Sequence, residues 1–454
     1  MLLVASYVFY MSWRPVYGFL IAGLTLGNYF LVPFISSAEK HKKLMLGIVV
    51  ALNLITLGIF KYATFATHSL KDGLSLMHVD WKEPHLHILL PLGISFFVFE
   101  FIHYAVEVYR GKPLVKSLPQ FALFASFFPT QIAGPIKRYQ DFLPQLSVPA
   151  KFKWEYVDKG MQLILLGLFK KVLIADNLAL IVQAGFDHPA NFSSIDLWLI
   201  VYAFAFQIFF DFAGYTDIAR GSAMLFGYKV PINFNLPYIS ANVSEFWQRW
   251  HISLSTWLRD YLYIPMGGSR CSKWFNYRNL FLTMALGGLW HGAAMHFLAW
   301  GAYQGILLVL HKEYSLALEK VGLASKLLSS KIYHVVSIVV TFHLVCLGWV
   351  FFRADNLSIA FEMFKKLFMA PVDLLHFSVA QLACLQIRDP IIFPALVVIL
   401  PILMISQPVI NWLNDKKFYL SPPWAVQVGV MVALMCLITI FSPDTSPRFI
   451  YFQF

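Results

Sequence analysis

Charge is what this chain has least of. Asp, Glu, Lys and Arg make up 13% of its 454 residues, about half the ~25% of an ordinary soluble domain. With 59% apolar residues, 43 of them Phe, a water-soluble core is excluded and a polytopic membrane protein is implied. Cysteine is scarce too. Cys271, Cys346, Cys384 and Cys436 lie far apart with no CxxC pair, so neither a disulfide framework nor a zinc site is supported. Acidic residues number 24 against 35 basic ones, a net charge of +11. In a membrane chain that excess reads as cytoplasmic loops following the positive-inside tendency, not as a nucleic-acid surface. Residues 1–13 are apolar but lack a basic leader and a small-residue cleavage site, so they read as a membrane helix and not a signal peptide. There is no internal repeat, no low-complexity tract and no polar loop long enough for a separate soluble domain.

Apolar stretches are what the chain does contain, at 2–13, 16–35, 44–63, 86–109, 157–186, 195–213, 279–312, 332–353, 391–411 and 424–441. A bilayer core of ~30 Å needs ~20 residues per span. The stretch 279–312 is long enough for two helices, broken near Gly287-Gly288 or Gly292. The expectation is a single all-α membrane domain over 1–454, with about ten to twelve transmembrane helices. Re-entrant and interfacial helices are added to these around a central funnel. Residues 121–135 are apolar, too short to cross, and end in Thr130-Gln131-Ile132-Ala133-Gly134-Pro135 before Lys137 and Arg138, which reads as re-entrant backbone. Residues 244–262 read as one helix lying flat in the interface, capped by Asn242 with Glu245.

Polar residues inside such stretches are costly and mark functional candidates. His291 stands in Gly287-Gly288-Leu289-Trp290-His291-Gly292, where the glycines leave room beside its ring. A hydrogen-bonded packing histidine is the plainer reading. His251 lies in Glu245-Phe246-Trp247-Gln248-Arg249-Trp250-His251, and a bond to Ser255 one turn on would explain it without chemistry. His296 cannot pair with His291 on a metal, because five residues turn a helix by ~500° and part the rings by ~140°. Glu100, His103 and Glu107 share one helix face, with Arg110 continuing it. For Glu107 and Arg110 a structural network is the better reading, whereas Glu100 is deeper and could meet substrate. Asp211 and Tyr215 form an i, i+4 pair, with a structural anchor at least as good an account as catalysis, and Arg220 is a partner for Asp217. Lys170 and Lys171 read as snorkelling cations at a helix end; an anionic acyl carrier or coenzyme phosphate is the sharper alternative.

The chain resembles the membrane-bound O-acyltransferase family, in particular its alginate O-acetylation branch. The likeness is carried by the two histidine segments and by Pro129-Thr130-Gln131-Ile132-Ala133-Gly134-Pro135-Ile136, Gly167-Leu168-Phe169-Lys170-Lys171 and Asn233-Phe234-Asn235-Leu236-Pro237-Tyr238. Tyr261-Leu262-Tyr263-Ile264-Pro265-Met266-Gly267-Gly268 and Phe449-Ile450-Tyr451-Phe452-Gln453-Phe454 add to it. Singly these are weak; in this order they are specific. Relatives usually begin with one more apolar helix, so the expectation is either a misassigned start or a dispensable first helix.

The resemblance implies His291 as catalytic histidine, with His251 as its partner in the acyl-transfer site. The candidate substrate-binding residues are Trp290, Asp211, Tyr215, Trp250, Ser255 and Glu100, with no metal and no bound cofactor. It further implies an acyl thioester donor, acetyl-CoA or an acyl carrier, as co-substrate, and a bacterial inner-membrane location among membrane lipid. A periplasmic esterase-like acetyltransferase partner would complete transfer to an exported polysaccharide such as alginate. A cavity reaching His291 from the cytoplasmic side, with His251 at its constriction, is expected. D-alanyl transfer, lipid acylation, a non-catalytic acyl-carrier transporter and a purely structural subunit are the rival readings.

Overall fold

The computed structural model describes residues 1–454 except 38–39, 85, 87, 149–151, 370–391, 416–422, 444–446, 448 and 451–454. Cys384 and Tyr451–Phe454 of the sequence argument therefore lie outside the described residues. Every regular element among the described residues is helical. The chain groups into two compact units, Met1–Ile164 with Thr216–Ile232, and Leu165–Tyr215 with Asn233–Phe454.

The first unit begins with α1 (Leu2–Met11), α2 (Pro15–Ser37), α3 (Lys42–Leu57) and α4 (Ala63–Leu76). It continues through α5 (Ile94–Tyr109), α6 (Leu118–Ser126), α7 (Tyr139–Leu146) and the start of α8 (Trp154–Leu168). Asn28 and Asn53 tie α2 to α3 by reciprocal amide bonds of 3.1 and 2.8 Å, a polar clasp of the kind that holds helices together in lipid. Within 121–135, α6 stops at Ser126 and a turn-rich, mostly buried stretch follows to Gly134.

The second unit contains α9 (Asp176–Asp187), the first two-thirds of α10 (Ser194–Leu225), α11 (Val243–Arg249), α12 (Ile252–Leu258) and α13 (Lys273–His291). After these come α14 (Met295–Lys320), α15 (Ala324–Leu328), α16 (Lys331–Arg353), α17 (Leu357–Leu367), α18 (Ile392–Asp415) and α19 (Trp424–Ile440). Its core is aromatic: Phe204, Phe206, Trp250, Trp300, Trp349 and Phe352 are all nearly fully buried.

Four helical stretches are long and apolar enough to cross a membrane: Pro15–Ser37, Lys42–Leu76, Ser194–Leu225 and Lys331–Arg353. The described residues thus support at least four spans, the coarser part of the expectation of ten to twelve. Exposed apolar side chains such as Phe19, Phe30, Ile332, Val336, Ile402 and Met435 form a surface that water would not tolerate and lipid would. α19 has no buried residue at all.

Candidate active site

The helix expected over 244–262 is broken in two. Asn242 caps α11 as anticipated, its Oδ1 accepting from Glu245 N at 2.8 Å, while the Glu245 carboxylate accepts from Ala241 N at 2.9 Å. The helix stops at Arg249 because a neighbouring strap takes over the backbone. Asn235 N donates to Arg249 O at 3.0 Å, Ile252 N donates to Asn233 O at 2.9 Å, and Ser253 N donates to Asn233 Oδ1 at 3.2 Å. His251 sits between these clamps at φ 42° and ψ 53°, the left-handed region. For a non-glycine residue this costs ~1–2 kcal/mol, and it persists because bonds on both sides fix it. The sequence view took Asn233–Tyr238 as a signature without a role; its role here is to hold His251.

His251 is fully buried and His291 nearly so. Burial pushes the His251 imidazole well below the ordinary histidine range, so the ring is neutral at physiological pH. Ser255 does not bond His251 through its hydroxyl, as the plainer reading required. Its Oγ donates to Trp250 O at 3.0 Å, which closes the turn.

His291 is the last residue of α13, and Gly292, in extended conformation, makes the break expected near 287–292. The glycines around it do not leave space beside the ring. A Cβ at Gly288 would collide with the Phe297 carbonyl, one at Gly301 with the Met284 carbonyl, and one at Gly292 with the Phe297 ring. They let α14 fold back against α13 at backbone distance, and that close crossing fixes where His291 ends up.

The two imidazoles face each other with centroids 6.2 Å apart and planes at 65°. That is too far for a direct N–H···N bond, which needs ~3 Å between nitrogens. Trp290 stands 5.9 Å from His251 and 5.1 Å from His291. The walls are Phe212, edge-on to His251 at 4.6 Å, and Trp300 and Phe352, edge-on to His291 at 5.1 and 5.3 Å. Sequence reasoning passed over these three. Phe212 stands between two residues that were singled out, and Trp300 is one turn beyond the His296-Phe297 pair, but an aromatic at helical spacing in so aromatic a chain carries no signal of its own.

The remaining candidates are more dispersed. Trp250 is stacked on Phe246 at 5.5 Å and packed on Trp349 at 4.9 Å, inside the aromatic core. Asp211 receives Lys171 Nζ at 2.7 Å and Ile450 N at 2.8 Å, and Tyr215 stacks on Phe449 at 4.6 Å. The pair thus ties the C-terminal segment to α10. Lys171 also meets Asp176 at 2.6 Å, so it is an ion-pair hub and not a snorkelling cation. Glu100, in the first unit, is paired with Lys137 at 2.8 Å. The expected Glu107–Arg110 and Asp217–Arg220 pairs are present at 2.7 and 3.2 Å.

A cavity of about 290 Å3 lies beside the chamber, lined by Trp247, Ile252, Ser255, Arg259, Tyr263 and Met284 among others. It extends from Arg259 and Tyr263 to Ile252, the residue after His251. Among the described residues no group of three or more His, Cys, Asp or Glu could hold a metal ion.

Comparison with known proteins gives this chamber its context. Residues 35–350 match the membrane-bound O-acyltransferase family. The chain is 43% identical over 379 residues to the probable alginate O-acetylase AlgI of Pseudomonas aeruginosa, covering 81% of this chain and 69% of that protein. It is 36% identical over 409 residues to the peptidoglycan O-acetyltransferase of Helicobacter pylori, covering 83% and 75%. To the teichoic acid D-alanyltransferase of Bacillus subtilis it is 33% identical over 290 residues, covering 61% and 72%. With its apolar helices and buried histidine pair, the chain belongs to the membrane-bound O-acyltransferase family and is a multi-pass acyltransferase of the bacterial inner membrane.

Proposed function

We propose that this enzyme moves an acetyl group from a cytoplasmic thioester, acetyl-CoA or an acyl carrier, towards an exported polysaccharide of the alginate class. The observation that carries the proposal is the facing of His251 and His291 at 6.2 Å within an aromatic chamber. A protonated hydroxyl is a poor nucleophile, and a neutral imidazole near its ordinary pKa of ~6.5 is a suitable base. In this reading His291 takes the acceptor's proton as its oxygen attacks the thioester carbonyl. The C–S bond then breaks, and the proton passes to the leaving thiolate. His251 orients the acceptor or the carbonyl. Trp300, whose buried indole N–H has no hydrogen-bond partner among the described residues, is the donor we assign to the carbonyl oxygen. Trp290 lines the gap between the rings.

The cavity bounded by Arg259, Tyr263 and Ser255 is the donor's approach in this proposal. Asp211, Tyr215 and Trp250 act by holding the surrounding helices, and Glu100 acts within the first unit. A periplasmic esterase-like protein would receive the acyl group and complete transfer to the sugar. The identities to alginate, peptidoglycan and teichoic acid enzymes span acetyl and D-alanyl chemistry, and the higher identity of the two acetyl-transferring relatives and the larger share of this chain that they match favour acetyl.

The test uses purified protein with a labelled acyl thioester. Donor-dependent transfer that disappears in His291→Ala supports the proposal. Passage of intact donor across a vesicle, unaffected by the substitution, would make the protein a conduit instead. Labelled acetyl and D-alanyl thioesters offered side by side decide which group is moved.

A further inference from the structure

The clamps from Asn233 and Asn235 fix the backbone around His251. The direction of its ring is set by what packs against it. Phe212 lies edge-on at 4.6 Å, nearer than Trp290 at 5.9 Å or His291 at 6.2 Å. Phe212 is itself fully buried, so its place depends on the rings behind it. One is Phe234, at 5.1 Å and 80°, carried by the same strap that clamps His251. Another is Phe449, at 6.3 Å and 60°, which comes from the C-terminal segment. All of these residues belong to the second unit.

The C-terminal segment is anchored in a way that fixes this ring. Asp211, Phe212 and Tyr215 stand at i, i+1 and i+4 of α10, so they occupy neighbouring positions on one flank of the helix. Ile450 N donates to Asp211 Oδ2 at 2.8 Å across 239 residues of chain. Lys171 Nζ lies 2.7 Å from Asp211 Oδ1 and 2.6 Å from Asp176 Oδ1, which holds the carboxylate that receives the amide. One turn along α10, Tyr215 stacks on Phe449 at 4.6 Å with planes only 22° apart. Phe449 and Ile450 are both buried. The amide bond sets where the segment sits, and the stack sets the tilt of the Phe449 ring. Core packing alone would account for a buried apolar ring, but not for a charge-fixed anchor that aims it at the wall of the histidine chamber.

We propose that Phe449 is a positioning residue of the acyl-transfer site: through Phe212 it sets the His251 ring relative to His291. Asp211, Lys171 and Tyr215 serve the site by holding Phe449. The proposal rests on the role given to His251 above, and it adds to that site a segment outside both histidine motifs. Ring placement matters because a site works only within ~0.5 Å of its productive geometry. A misplacement of ~1 Å caused from a distance can cost ~10²-fold in rate.

The experiment follows labelled-acetyl transfer from acetyl-CoA in membranes of the producing cell, with rates normalised to the amount of full-length protein. Phe449→Ala is expected to lower kcat ~3–10-fold, the coupling of residues in contact, with the KM for acetyl-CoA held. Phe449→Tyr keeps the ring and should keep the rate. Phe449→Leu keeps most of the buried volume without the ring and should lose rate as Ala does. The decisive measurement is the cycle with His251→Asn. A residue that acts through His251 has little left to lose in that background, so Phe449→Ala should then cost less than ~2-fold more. Losses that multiply in the double variant would overturn the proposal, as would a Leu variant as active as the Tyr one. Wild-type rates in Phe449→Ala or in His251→Asn would overturn it too. Should Phe449→Ala fail to accumulate, Phe449→Leu takes its place in the cycle. Transfer that needs His291 but shows multiplying losses removes only the positioning role. Absence of any His291-dependent transfer removes the acyltransferase reading itself, and the positioning role with it.

Discussion

Each of the two units buries polar groups, and they do so differently. Around Glu100 and Lys137 in the first unit buried polarity answers itself. Glu100 accepts from Lys137 Nζ at 2.8 Å and from its backbone N at 3.2 Å, and Lys137 also donates to Thr130 at 2.9 Å. Lys137 lies over the rings of Phe124 and Phe142 at 5.6 and 5.8 Å, and His103 meets Gln140 at 2.8 Å. In the second unit the two histidines are walled by aromatic rings, with edges and faces at 4.6–6.2 Å. A closed ionic cluster has one good arrangement and resists change. A ring-lined chamber has polar atoms and room to pair them with a substrate. Buried polarity by itself therefore does not mark the chemistry of this protein; the company it keeps does.

The sharpest way to break that comparison is His291→Ala. Loss of a general base should lower acyl transfer by ~10²–10⁴ with membrane insertion unchanged, measured as polymer acetylation in a complemented knockout. A stably inserted variant with wild-type acetylation would make the chamber structural like the first unit.

Next in size is the opposite experiment. Lys137→Met alone leaves Glu100 as an unpaired buried carboxylate, at a cost of ~3–5 kcal/mol. Adding Glu100→Leu should recover most of that stability, and thermal unfolding in detergent reads both. If the single variant is as stable as wild type yet transfers no acyl group, Glu100 and Lys137 belong to the reaction.

His251→Asn separates a ring from its backbone. Asn tolerates the left-handed region, so the turn at φ 42° should survive while transfer falls ~10-fold or more, less than for loss of the base. His251→Ala should add a stability loss that Asn avoids. Equal activity of the Asn variant and wild type would reduce His251 to a turn residue.

How much of this was legible in the sequence differs by kind of feature. The membrane class, the capping pair Asn242 and Glu245, the break by Gly292 and the short-range pairs Glu107–Arg110 and Asp217–Arg220 were readable, because each depends on residues within one or two turns. The break at His251 was not. Its aromatic spacing continues as one helix through 246–261, and the strap that interrupts it comes from Asn233–Asn235, a long-range set of bonds no local pattern encodes. The same distance hid the partner of Lys171, which is Asp211, forty residues on. The glycines near His291 were visible as a feature and misread as space, because the helix that fills it, α14, arrives only in three dimensions.

The smallest expected effect is the most discriminating for the donor cavity. Ser255 lines that cavity, and its hydroxyl is already committed to the Trp250 carbonyl at 3.0 Å. If that bond is its whole role, Ser255→Ala costs ~0.5–1.5 kcal/mol of stability and leaves the donor KM unchanged. A hydroxyl has two acceptor lone pairs besides its proton, so Ser255 can close the turn and still receive a donor's amide N–H. In that case the KM for the thioester rises several-fold with kcat held, the signature of lost uniform binding. Ser255→Thr keeps the hydroxyl and should restore KM in the second case. A rise in KM that threonine reverses makes this cavity the donor's route; an unchanged KM confines Ser255 to the turn that presents His251, and the donor must then reach the chamber by another wall.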